Sequence, residues 1–302
     1  MTGAGPVVAS YRDALEHLPL AELVLELELE DVLAVPFPGA FLRGVLGNRL
    51  RRGCPSRSRD GRCRPGTCAW CDLFSPVASP GREEHWSGDL RTIPVPYAVR
   101  STGEEWQGGR VGILLLGRAT AHAARVVDAF REAGERGLGR SRVRAILLEA
   151  CSRVTAAGRE VARAEAEAGD RPVLFRALSP LRLKEGGRWS RHPSPRLLAV
   201  AAARRASALC FHHGAGEALP PPGREWLSAL EGVAPAREDW TWQEGTRWSA
   251  RQRRRYPVGG VLGEMELSDP DPALRFFLAV AAVLGVGKGT AYGLGRCSLE
   301  RP

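Results

Sequence analysis

Phe130-Arg-Glu-Ala-Gly-Glu-Arg-Gly-Leu-Gly-Arg140 and Leu284-Gly-Val-Gly-Lys-Gly-Thr-Ala-Tyr-Gly-Leu-Gly-Arg296 each close one half of the sequence. In both, a helical pattern runs into glycines and then into a short strand, and both contain Gly-Leu-Gly-Arg. The shared tetrapeptide means little by itself. Its matching placement at the end of each half predicts a duplicated α+β domain.

Working outward, Glu22-Leu-Val-Leu-Glu-Leu-Glu-Leu-Glu30 sets leucines 23, 25, 27 and 29 against acidic residues, the signature of a half-buried strand. Phe41, Leu42, Val45, Leu46 and Leu50 then recur at helical intervals over residues 40–52, leaving Arg43, Asn48, Arg49 and Arg51 on the polar side. Pro94 and Pro96 confine the extended stretch 92–97 to an edge or a loop. Residues 111–116 read as a buried strand, 122–131 as a helix, and 142–153 as either. After an Ala-, Arg-, Glu- and Gly-rich stretch at 156–170, the pattern restarts with the apolar run 173–178 and an alanine-rich helix over 197–209. Residues 214–248 read as an aromatic loop, and 256–267 as a pair of strands. Asp271-Pro272 gives an N-cap with proline at the first helical position, opening an apolar helix over 273–284. The expected units are 1–165, with a cysteine-rich loop inserted at 53–75, and 170–302, with the glycine-rich loop at 285–296.

The 302 residues suffice for two modest domains, and 44% hydrophobic with 25% charged residues excludes a disordered or fibrous chain. The charge is unusual: 43 Lys plus Arg against 34 Asp plus Glu give +9, and Lys184 and Lys288 are the only lysines. Guanidinium pairs with phosphate and stacks on bases, which suits a nucleic-acid partner, although GC-rich coding favours arginine without any such partner. No stretch approaches the roughly 20 apolar residues of a membrane span, and no signal peptide opens the chain, so a cytoplasmic location is expected.

Three constellations could carry chemistry. The glycines between 285 and 295 let a backbone approach a ligand closely, with Lys288, Tyr292 and Arg296 held beside it. This loop lies between a helix and a final strand and opens no helix, which argues against a nucleotide cofactor. Cys54, Cys63, Cys68 and Cys71 are spaced C-x8-C-x4-C-x2-C, a donor set for a structural zinc with no open position for catalysis. Trp240, Trp242, Trp248 and Tyr256 interleave with Arg247, Arg251, Arg253, Arg254 and Arg255, a pattern able to stack on bases and pair with phosphates.

Five segments in order, Phe41-Leu-Arg-Gly-Val-Leu-Gly47, Ser179-Pro-Leu-Arg-Leu-Lys184, Arg247-Trp-Ser-Ala-Arg-Gln252, Val258-Gly-Gly-Val-Leu-Gly263 and Gly285-Val-Gly-Lys-Gly-Thr-Ala-Tyr-Gly-Leu-Gly295, resemble the RAMP superfamily. Within it they resemble the CRISPR-associated endoribonuclease that processes precursor crRNA, in a subgroup with a cysteine cluster. The resemblance implies an α+β fold of two tandem ferredoxin-like domains. It also implies metal-independent cleavage of CRISPR repeat RNA, in which a 2′-hydroxyl attacks the adjacent phosphate to leave a cyclic phosphate and a 5′-hydroxyl, and retention of the product crRNA. A CRISPR effector complex is the further partner so implied.

Many members of that family place a histidine in or beside the first helix, whereas residues 40–52 contain none. The candidates for catalysis are therefore Arg43 and Arg49 as phosphate clamps and Lys288 as an electrostatic stabiliser, with His85 in reserve. Arg182, Lys184, Arg247, Arg251, Arg254, Gly287, Gly289, Tyr292 and Arg296 are the candidates for RNA contact. The missing histidine leaves open a non-catalytic RNA-binding subunit of a CRISPR ribonucleoprotein. A zinc-dependent DNA-binding regulator is a third reading, weakened by the lack of a recognition helix beside the cysteines.

Overall fold

The computed structural model describes every residue except 1–4, 34, 36–37, 57–62, 65, 78–92, 102–108, 140, 217 and 250–253. Helix α1 (Gly5–Glu16) precedes strand β1 (Pro19–Leu29), α2 (Pro38–Arg52), the short α3 (Ala69–Phe74), β2 (Tyr97–Val99), β3 (Arg110–Leu116), α4 (Ala123–Arg136) and β4 (Ala145–Ala156). The four strands form one antiparallel sheet in the order β2-β3-β1-β4. After α5 (Ala157–Ala168) come β5 (Val173–Leu181), the ribbon β6 (Lys184–Glu185) and β7 (Arg188–Trp189), α6 (Pro195–His213), α7 (Arg224–Ala229), β8 (Arg237–Gln243), β9 (Thr246–Ser249), β10 (Arg254–Pro257), β11 (Gly260–Leu267), α8 (Pro272–Leu284) and β12 (Cys297–Glu300). The second main sheet runs β12-β5-β11-β8. Each sheet therefore places its last strand beside its first and its third beside its first on the other side. This is the ferredoxin-like order, made twice, and the duplication anticipated from the glycine-rich endings is real.

Alternation does the local work. Ala21, Leu23, Leu25 and Leu27 of β1 face a core shared with Leu42, Leu46 and Leu50 of α2 and Val126 and Phe130 of α4. The opposite face of β1 begins at Leu20, which belongs to the second core, and passes through Glu22 to the exposed Glu26 and Glu28. The second core gathers Phe175, Leu198, Leu209, Met265, Phe276 and Phe277, and it also takes in Tyr11 and Leu15 of α1. Its helix α8 starts as expected, with the Asp271 carboxylate accepting from the Leu274 amide at 2.8 Å and Pro272 at the first turn. At the other end of α8, Arg205 Nε donates to the Leu284 carbonyl at 2.9 Å and Arg100 donates to the Val283 carbonyl. Arg100 also pairs with Glu22 at 3.2 Å, so the carbonyl end of a helix in one half is capped by a cation anchored in the other.

Three expectations change. Residues 142–153, ambiguous in sequence, fall mostly in β4. The stretch 214–248 is not a loop: it holds α7, β8 and the start of β9. Trp240 and Trp242 lie two apart on β8, but charged neighbours hide the alternation. Residues 256–267 do not pair with one another, because β10 pairs with β9 whereas β11 lies between β5 and β8 in the main sheet. No helix among the described residues is long and apolar enough to cross a membrane.

Candidate nucleic-acid interface

The cysteine segment folds back on the first helix. Cys54 follows the end of α2, Cys68 is the residue before α3, and Cys71 sits one turn into it. The Sγ atoms of Cys54, Cys63, Cys68 and Cys71 all lie within 4.8 Å of one another, and Cys54 is 3.8 Å from both Cys63 and Cys71. Bonds of about 2.3 Å from a tetrahedral zinc to four sulfurs require sulfur–sulfur edges of about 3.8 Å, so the donor set fits. None of the four is in a disulfide. Next to Cys71, the buried Asp72 carboxylate accepts from the Gly66 amide at 2.9 and 3.1 Å and lies 2.7 Å from His122 Nε2. Burial works against ionisation there, yet His122 and the Gly66 amide together hold this carboxyl below the usual range. The loop is thus tied to the turn before α4 independently of the thiols.

Between α2 and α3 lies a groove of about 800 Å³. Arg43, Gly44, Gly47, Asn48, Arg51 and Arg52 line it from α2, and Trp70 and Phe74 from α3. Trp70 and Phe74 are parallel, with ring centroids 6.5 Å apart. The Arg51 guanidinium lies 5.6 Å from the Trp70 ring and that of Arg43 lies 5.0 Å from Phe74. Glycine at 47 makes this closeness feasible, since a Cβ there would stand 2.7 Å from Phe74. Among the described residues no carboxylate lines the groove, which gives it a cationic and aromatic character.

The glycine-rich loop adjoins the same helix. Tyr292 places its ring 4.5 Å from the Arg43 guanidinium, which also contacts Phe74. Earlier in the loop, the Lys288 amide donates to the Arg182 carbonyl at 3.0 Å, and Gly287, at φ +81°, packs its bare Cα against that backbone. Arg182 and Lys184 both lie over Trp189, at 4.3 and 4.9 Å. One short loop therefore connects two cationic and aromatic clusters, one from each half, with Lys288 exposed between them.

The other candidates are placed as follows. Arg43 reaches the groove, but Arg49 points elsewhere, among Arg52, Glu132 and Arg136, and the two do not converge. Arg296 donates to the Arg100 carbonyl at 2.6 Å, joining the loop's end to the first sheet. Gly289, at φ +98°, lies against the Leu294 side chain. Arg254 stacks on Tyr256, 4.4 Å from its ring. Arg247 lies on β9, while its side chain, Arg251 and His85 fall outside the described residues. His213 is buried, 2.6 Å from the Pro94 carbonyl, and burial lowers its pKa to about 4. Sequence reasoning missed Trp70 and Phe74 as groove walls; the available signal was an aromatic residue lying between two metal-spaced cysteines.

Gly39 is where α2 meets the loop: a Cβ there would overlap the Tyr292 carbonyl. Gly39→Ala is expected to push the helix off the loop and part Arg43 from Tyr292, lowering kcat about tenfold for any reaction at this junction while leaving Tm within a few degrees. Steady-state kinetics beside thermal denaturation check this.

A family model for the CRISPR-associated endoribonuclease Cas6 matches residues 175–297, and one described as an N-terminal domain matches 18–173. No curated protein matches the sequence. Among solved structures, a Cas6 product complex is 20% identical with a TM-score of 0.53, covering 93% of this chain and 99% of that one. A Cas6 substrate mimic complex is 19% identical with a TM-score of 0.52, covering 93% and 99%. Thermus thermophilus Cas6 is 18% identical with a TM-score of 0.51, covering 93% and 98%. At such identities the likeness is one of fold.

Proposed function

The chain belongs to the CRISPR-associated endoribonuclease Cas6 family, and from that premise we propose that it cleaves CRISPR repeat RNA without a catalytic metal and keeps the product. The observation that carries this reading is the glycine-rich loop joining the Arg43 groove to the Arg182 and Lys184 cluster, a surface for a phosphate backbone with aromatic rings for its bases.

In the proposed reaction the 2′-oxygen attacks the adjacent phosphorus and the bond to the 5′-oxygen breaks, leaving a 2′,3′-cyclic phosphate and a 5′-hydroxyl. The 2′-hydroxyl proton leaves to solvent and the departing 5′-oxygen gains one. Arg43 and Lys288 supply positive charge to the pentacovalent phosphorane. Among the described residues the groove lining offers Asn48 and arginines and neither histidine nor carboxylate, so the role of these side chains in the proposed reaction is alignment and charge stabilisation. Tyr292 and Phe74 both contact the Arg43 guanidinium, which restricts its direction before the substrate arrives. Cys54, Cys63, Cys68 and Cys71 would hold a structural zinc that braces α3; with four thiolates the shell is closed.

Repeat RNA is expected to be cut in the presence of EDTA, and a strand with a single 2′-deoxy nucleotide at the cut site is expected to stay whole. Equal cutting of both strands would exclude 2′-hydroxyl attack. The lack of a histidine or carboxylate among the described residues of the groove also supports a second reading, a non-catalytic RNA-binding subunit, which predicts tight binding and no turnover of either strand.

A further inference from the structure

Strand β4 is the outermost strand of the first sheet on the side opposite β2, and among the described residues its only strand partner is β1. Its sequence, Ala145-Ile-Leu-Leu-Glu-Ala-Cys-Ser-Arg-Val-Thr-Ala156, has neither proline nor lysine, the usual guards of a free edge. Every residue from 148 to 154 is exposed, so this stretch is uncovered on both faces of the sheet as well as along its edge. Ile146, Leu148 and Val154 are respectively 59%, 62% and 64% exposed, an apolar content that a solitary edge strand rarely retains.

The same stretch is complementary to itself. Laid antiparallel against a copy with Cys151 opposite Cys151, it sets Leu148 against Val154, Glu149 against Arg153 and Ala150 against Ser152, each pairing occurring twice by symmetry. Cross-strand apolar and opposite-charge pairs are the units that stabilise a sheet, and a twofold interface must be self-complementary in this way. Shifting the register by one residue opposes Glu149 to Ser152 or Val154 and loses both ion pairs. Arg153 already bonds Glu160 at 2.6 Å and Glu22 at 3.2 Å, so its guanidinium is held at the edge before any partner arrives. Glu149 accepts from the Cys151 thiol at 3.1 Å, a weak bond that a partner's arginine readily replaces.

We propose that this edge is a homotypic interface: a second copy of the chain pairs β4 to β4 in the register centred on Cys151, joining the two first sheets into one. The occupant is a copy of this chain because the charges along the strand match their own reversed order. This interface is independent of the RNA reading and would stand if cleavage failed.

Sedimentation of the full chain without RNA tests it. Wild type is expected to be dimeric in the micromolar range. Glu149→Arg and Arg153→Glu, which each face like charges across the twofold, are expected to sediment as monomers. Mixing the two variants is expected to restore a dimer, since each then opposes two arginines to two carboxylates. Glu149 is exposed, so folding of its variant is secure, and Leu148→Asp gives a second disruption that spares the ion pairs. A short bismaleimide is expected to link wild-type copies through Cys151 and to fail with Cys151→Ser, which should remain a noncovalent dimer. A monomeric wild type, an undisturbed Glu149→Arg dimer, or failure of the mixed variants to associate would each overturn the proposal.

Discussion

Arg43→Ala is expected to lower the rate of repeat RNA cleavage about a hundredfold, equivalent to about 2.7 kcal/mol of transition-state stabilisation, with a much smaller loss of affinity. Arg43 is the cation that the two halves of the chain orient jointly, by contact with Phe74 of α3 and with Tyr292 of the glycine-rich loop. Its removal would withdraw positive charge from the proposed phosphorane and leave both aromatic rings without their cation. Arg43→Lys keeps the charge but not the planar group that lies against aromatic rings, and is expected to recover only part of the rate. Arg49→Ala is the control: turned toward Glu132 and Arg136, it should change the rate less than threefold. Single-turnover cleavage measured beside RNA binding separates the two parameters. Equal losses for Arg43 and Arg49 would show that helix charge in general, and not the oriented guanidinium, matters.

The second large effect is expected from Cys54→Ser combined with Cys71→Ser. Elemental analysis of the wild type should find one zinc per chain and that of the variant none. Without its sulfur cluster, α3 still rests on the buried Leu73 and on the Asp72 attachments to Gly66 and His122, but the Trp70 side of the groove wall, flanked by Cys68 and Cys71, loses its brace. RNA affinity is expected to fall at least tenfold and Tm by roughly 5 °C, the latter matching a loss of about 3 kcal/mol in a chain of this size. The two ferredoxin-like cores do not depend on these thiols, so far-ultraviolet circular dichroism should change little. A wild type free of zinc that still binds RNA would remove the metal from the account.

The fold was legible wherever a period was clean. The leucines of β1, the Asp-Pro start of α8 and the paired glycine-rich endings each stated their structure locally, and two repeats of one topology followed. Legibility failed where the signal was shared with something else. In β8 two tryptophans carry the alternation among charges, and in β4 both faces are exposed, so no apolar period marks a strand. At the site, the glycine-rich loop and the cysteines were plain because their chemistry is tied to spacing. The choice between Arg43 and Arg49 was also within reach of arithmetic, because six helical steps of about 100° put them on different faces. Which face meets the second half required the packing of Gly39 against Tyr292, a contact between distant segments that no local pattern announces.

Helix α1 precedes the first sheet in sequence, yet Tyr11 packs edge-on against Phe277 at 5.3 Å and donates from its hydroxyl to the Pro220 carbonyl at 3.0 Å. During synthesis this segment leaves the ribosome well before its docking surface exists. It must wait through the making of the whole first sheet before α5 and α6 offer it a first seat, by way of Glu165 against Arg12 and Cys210 against the Ala14 carbonyl, and α8 completes that surface last. A chain interrupted within α8 would thus carry two unfinished regions at opposite ends of its sequence.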